Sequence, residues 1–290
     1  MSLEILNHRA NWNPATPLSP PAKGQSAWSL YCHYIGISWR SQMTYRTSFL
    51  LQCCGTALVT IGEFLAMIAL FSRFGSIAGW RLAEVTIFYG VVNLSWAVAE
   101  ALARGFDDFG AIVKSGDFDR VLLRPRSTVL QILGREFTLR RIGRFAQGLI
   151  VLVWGWHQLA LGTHWTQLLL LGLAIIGGVT LFVGLLIFQA ALAFRTIESL
   201  EVMNVFTYGG VATAQYPLSI YPDWLRWVFT FVVPLGAFAF FPIATLLGRA
   251  EALGWAPIWG WCAPILGPVF LGFSLIAWRN GIKHYISTGS

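Results

Sequence analysis

The residues that could do chemistry in this chain are a few polar side chains buried in apolar runs. Glu63 lies near the middle of one such run, and Glu84, Asn93 and Glu100 lie in the next. A carboxylate at membrane depth is costly unless it is paired, hydrated or protonated, so Glu63 reads by default as a functional position. Two roles suit it equally: lining a path for a cationic or amphipathic substrate, or hydrogen-bonding a neighbouring helix to fix packing. Glu100 precedes Arg104 by one helical turn, which favours a structural ion pair. Glu84 is expected at the interface. Glu63, Asn93 and Glu100 are the candidate lining of a translocation path.

Covalent chemistry is not expected. The three lysines, Lys23, Lys114 and Lys283, lack the glycine frame of a phosphate-binding loop. His8, His33, His157, His164 and His284 are scattered, and Cys32, Cys53, Cys54 and Cys262 have no metal-ligand spacing. No catalytic residue, metal site or cofactor is therefore assigned to this chain. The 14 Trp and 21 Phe could stack on a flat organic cation, but serve more often as lipid-facing anchors.

What must position these residues is a set of membrane helices. With 56% hydrophobic and only 11% charged residues, the chain carries more apolar surface than a soluble core of 290 residues could cover. An all-α integral membrane protein follows, one packed domain (27–290) behind a proline-rich tail (1–26) that has no apolar signal-peptide core. Residues 27–46 repeat Trp28, Tyr31, Ile35, Trp39 and Met43 at helical spacing, as an amphipathic interface helix would.

About 20 apolar residues cross a bilayer. Spans are predicted over about 49–71, 82–103, 145–162, 168–194, 202–221 and 258–278. Four prolines, Pro217, Pro222, Pro234 and Pro242, interrupt 202–247, so 228–247 reads either as a broken re-entrant pair or as the fifth span itself. Six spans result either way.

Of the 20 Lys and Arg, only Arg73, Arg81, Arg226 and Arg249 fall on the side opposite the amino terminus. The positive-inside rule then puts both termini in the cytosol and makes 104–144 the one large cytosolic connection. The net charge of +7 is thus a topology signal here and not a nucleic-acid footprint. Within the connection, Phe106, Phe109, Ile112 and Val113 share one helical face, with Asp107, Asp108 and Lys114 elsewhere, and Gly116 should end the helix. A short helix with an aromatic face can fit a groove on another protein, or it can cover its own spans.

The run Gly116-Asp117-Phe118-Asp119-Arg120-Val121-Leu122-Leu123-Arg124-Pro125, after a two-span hairpin, resembles the corresponding loop of type-2 ABC transporter permeases. Weaker likenesses follow in order: residues 45–50 before the first span, 216–222, Pro242 before residues 246–249, and the ending 285–290. The resemblance spans roughly 45–290; the extension before it departs from the family pattern.

It implies six spans with an interface helix, a re-entrant pair before the last span, and a coupling helix in the cytosolic loop. The residues carried over as ATPase-coupling are Phe106, Asp107, Phe109, Ile112, Gly116, Asp117, Asp119, Arg120 and Arg124. More narrowly, the chain is similar to bacterial inner-membrane permeases that pair two different permease chains and are linked to export of drugs or viologen-like cations. The partners implied are two ABC ATPase subunits, which would hold ATP and Mg, and a second permease, a homologous chain or another copy. Membrane lipid is a further partner and nucleic acid is not. The substrate implied is an amphipathic or cationic small molecule. The alternative is an ion-coupled secondary transporter with Glu63 as its proton or cation site, although no similarity between the two halves supports it.

Overall fold

The computed structural model describes residues 46–138, 141–196 and 199–285, together with 31, 35–37, 39–40, 42 and 44. The tail 1–26 and most of the interface helix 27–46 lie outside the described residues, as do 286–290. The positions described between 31 and 44 are helical, and Gln42 Nε2 donates to the Phe137 carbonyl at 2.6 Å.

The first long helix, α1 (Arg46–Phe74), is followed by a feature the sequence reading did not anticipate in an all-α chain. Strands β1 (Ser76–Ile77) and β2 (Trp80–Arg81) pair antiparallel across Ala78 and Gly79, whose φ values are 48° and 80°. Positive φ at both turn residues is the geometry that lets a two-residue connection follow the natural twist of its strands. Helix α2 (Leu82–Asp107) then returns and runs on, past non-helical backbone at Ala103, into α3 (Phe109–Lys114).

Short helices α4 (Phe118–Leu122) and α5 (Thr128–Arg135) complete the large connection. Helices α6 (Ile142–Gln158), α7 (Trp165–Ala193) and α8 (Ser199–Ala214) follow. A bent segment comes next: Asp223–Val232, made of α9 (Asp223–Trp227) and one wide turn, meets Leu235–Leu246, made of α10 (Leu235–Phe238) and α11 (Phe240–Leu246), at 80°. The chain ends its described part with α12 (Ile258–Cys262) and α13 (Leu266–Ile282).

Burial sorts these helices by role. The most apolar window of α2 is 83% buried, against 17% for α1. Helix α2 is therefore the axis on which α6 and α7 pack, whereas α1 turns Leu50, Leu51, Leu58, Val59 and Leu65 outward. Outward leucine on a span needs no soluble partner, because lipid is as apolar as leucine. Helices α7 and α13 approach through small residues: a Cβ built on Gly267 would lie 2.1 Å from the Gly177 carbonyl oxygen. Only glycine permits that contact.

By length and composition, four described helical segments can cross a membrane: Arg46–Phe74, Leu82–Lys114, Trp165–Ala193 and Ile258–Ile282. The bent pair makes a fifth if it counts as one span. The predicted spans 145–162 and 202–221 correspond to α6 of 17 residues and α8 of 16. At a rise of 1.5 Å per residue each is about 25 Å long, short of the roughly 30 Å hydrocarbon core. Helix α8 stops early because Pro217 cannot continue it, and a single 3₁₀ turn, Leu218–Ile220, follows. The sharp bend in 223–246 fits both readings of 228–247, a re-entrant pair and a broken span.

Candidate functional site

At the end of the bundle that carries the 104–141 connection, the aromatic face of α3 points inward. Phe106, Phe109, Ile112 and Val113 are buried. The Phe109 ring lies 5.2 Å from Phe118, 5.0 Å from Phe194 and 4.9 Å from Trp278. Phe106 meets Trp278 edge-on at 5.1 Å, and Tyr285 closes the group against Phe118 at 5.0 Å. Trp278 donates its indole N–H to Thr128 Oγ1 at 3.1 Å. Of the two readings of this face, a fit to a groove on another protein or a cover for this chain's own spans, its burial favours the second. Aromatic residues at helical spacing serve here to seal three helix ends against the connection, so their side chains are already covered by this chain.

The outward surface of the same segment is made by other residues. Gly116, at φ 71°, stops α3 where the sequence placed its end. Beyond it Leu123 is 84% exposed, and Leu122, Arg120, Arg124 and Lys114 are exposed beside it. Asp117 accepts from Arg135 at 3.3 Å and lies 3.6 Å from Arg120. The Arg135 hydrogen bond, with one from Ser115, holds the Asp117 carboxyl below its ordinary range. Asp119 is half-buried beside Tyr285, whose hydroxyl pKa is raised first by burial and then by that carboxylate. A cavity of about 320 Å³ opens among Asp117, Arg120, Arg124, Gln131 and Arg135.

The candidate translocation residues have separate surroundings. Asn93 is fully buried, returns its Nδ2 hydrogen to the Tyr89 carbonyl one turn back at 2.8 Å, and packs where Gly148 of α6 crosses α2. Glu100 is fully buried and pairs with Arg104 at 3.4 Å, as the one-turn spacing predicts, and also with Arg141. Arg104 reaches on to Asp107 at 2.6 Å and Asp108 at 3.4 Å, and the Tyr208 hydroxyl donates to Asp107 at 2.7 Å. Glu63 is 41% exposed in its side chain and faces Arg144 at 3.8 Å. Its charge is matched by a cation within the fold.

Two constellations escaped sequence reasoning. Arg104, Arg141 and Arg144 converge with Gln52, Gly55 and Thr56 of α1 around a cavity of about 400 Å³. At the opposite end of the bundle, Arg249 bonds Glu84 at 2.8 Å, donates to the Gly79 carbonyl at 3.0 Å and stands 4.4 Å over the Trp80 ring. Trp80 in turn donates to Ser219 Oγ at 2.8 Å, while Glu84 accepts from the Arg81 amide at 2.8 Å. Glu84, expected at an interface, is thus the buried anchor of a clasp joining the β ribbon, α2 and the stretches on either side of the bent segment. No local signal marks either set, because the partners are far apart in the chain.

These features define a helical membrane protein with a buried polar axis and a built platform at one end. The family follows from comparison: the model for the ABC-2 family transporter protein matches residues 57–289, and the chain belongs to that family. It is therefore a permease-type membrane transport subunit, of a class whose ATPase is a separate chain. No curated protein and no solved structure matches the chain.

Proposed function

We propose that this chain is the permease subunit of an ATP-driven exporter in the bacterial inner membrane, lying there with both termini cytosolic and six spans in all. It forms the path with a second permease chain, a homologue or another copy, and takes its energy from two ATPase subunits that hold the ATP and Mg. Membership of the family supports this reading, and one structural observation carries it. The coupling helix region, 104–124, joins α2, the most buried helix, through a nearly continuous run from Leu82 to Lys114, while Leu123 projects into solvent. A push on the platform is delivered straight to the axis of the bundle. The docking surface is the corner made by Lys114, Arg120, Leu122, Leu123 and Arg124, seated on Phe106, Phe109 and Ile112 as its rigid base.

The substrate is an amphipathic or cationic small molecule, as in drug efflux. Arg144 faces the Glu63 carboxylate at 3.8 Å, which weighs against the alternative of a secondary transporter with Glu63 as its proton or cation site. Vesicles reconstituted with the permease pair and the ATPase should export an amphipathic dye only with hydrolysable ATP. Transport driven by a pH gradient with no ATPase present would overturn the proposal.

A further inference from the structure

We propose that the pocket between α1, α2 and α6 binds the phosphate head of an anionic membrane phospholipid, entering from the leaflet on the side of the 104–141 connection. Three guanidinium groups line it, from Arg104, Arg141 and Arg144, and their side chains are 17%, 21% and 13% exposed. Against them stand only two carboxylates as deeply buried, Glu100 and Asp107, at 1% and 9%. Asp108 and Glu63 are 49% and 41% exposed, and water competes for them. With these included, four carboxylates pair with the three arginines, but none of the four lines the cavity, whose charged lining is the three guanidinium groups.

Arg144 is the least tightly held of the three. It is the most buried of the three, yet the Glu63 oxygen it faces stands at 3.8 Å, beyond hydrogen-bond reach. In addition, the Nε–H groups of all three arginines are buried with no hydrogen-bond partner among the described residues. Buried donors without acceptors are costly, and an oxyanion offers acceptor oxygens in the geometry of the guanidinium fork. Glu100 Oε2 is likewise without a partner, so the anion would sit on the α1 side of the arginines, away from it.

The ligand is a lipid and not free phosphate because a second cavity adjoins the first. An apolar cleft of about 220 Å³, lined by Ala97, Leu102, Ile142 and Phe145, shares Arg141 with the arginine pocket. A phosphodiester on one side of Arg141 and an acyl chain on the other fill both. Basic pockets between helices at headgroup depth are suited to this chemistry.

The experiment uses the full chain in neutral detergent and follows lipid adducts by native mass spectrometry, with thermal melting in parallel. The probes are phosphatidylglycerol, phosphatidylcholine of the same chains, and inorganic phosphate. Two variants accompany the wild type. R144Q removes the guanidinium held most loosely by this chain's own carboxylates. G55L plugs the pocket while leaving every arginine in place, and it folds if any variant does: no atom lies within 4 Å of a Cβ built at Gly55, and leucine is the better helix former. Phosphatidylglycerol should bind at least tenfold more tightly than phosphatidylcholine and weaken with salt, and both variants should erase that preference. Equal binding of the two lipids, an unchanged preference in G55L, or inorganic phosphate competing at the lipid's own concentration would overturn the proposal. None of these readings involves the ATPase, so they stand apart from the transport assay.

Discussion

Replacing Phe109 with alanine separates the two roles that its spacing allows. If the ring is part of this chain's own packing, the loss appears in the isolated permease. The residue is fully buried and makes edge contacts with three rings at 4.9 to 5.2 Å. Truncating a buried phenylalanine costs about 3–5 kcal/mol, and aromatic pairs add about 0.5–1.5 kcal/mol each beyond area, so the upper part of that range applies. For a chain of 290 residues that is a fall of roughly 6–9 °C in melting temperature. Melting of the purified permease, read by size-exclusion fluorescence, is the direct assay. Leu123→Asp is the matched control: at 84% exposure its stability should stay within about 0.5 kcal/mol of wild type while ATPase co-purification is lost. An F109A permease that melts like wild type but fails to hold the ATPase would refute the inward reading. Aspartate at Phe109 or Ile112 would abolish co-purification under either reading, because a charge buried in that aromatic group unseats the platform itself.

Two further perturbations probe the rest of the frame. Arg249→Ala strips the buried Glu84 carboxylate of its guanidinium and should cost about 3 kcal/mol, with Glu84→Gln in the same chain recovering part of it; a double-mutant melting cycle with no coupling would dismiss the clasp. Gly267→Val must push α13 off α7, since even a Cβ would stand 2.1 Å from the Gly177 carbonyl oxygen; a destabilisation of at least about 1–3 kcal/mol is expected in the same melting assay, and an unshifted transition would mean the two helices do not cross there.

Read without coordinates, the chain already specified its apolar helices, because about 20 lipid-compatible residues in a row have few other fates. The predicted stretches 49–71, 82–103 and 168–194 became Arg46–Phe74, Leu82–Asp107 and Trp165–Ala193. The end of α3 at Gly116 and the Glu100–Arg104 pair were legible too, since a left-handed residue and a one-turn spacing are local facts. Tertiary structure alone decided what covers each face. Periodicity placed Phe106, Phe109 and Ile112 on one side of a helix, but only the arrival of Phe194 and Trp278 made that side interior. The partner of Glu84 lies 165 residues away, and the three arginines meet α1 only when α2 and α6 are packed. A charge's meaning in a membrane depends on its neighbours in space, which hydropathy and spacing do not carry.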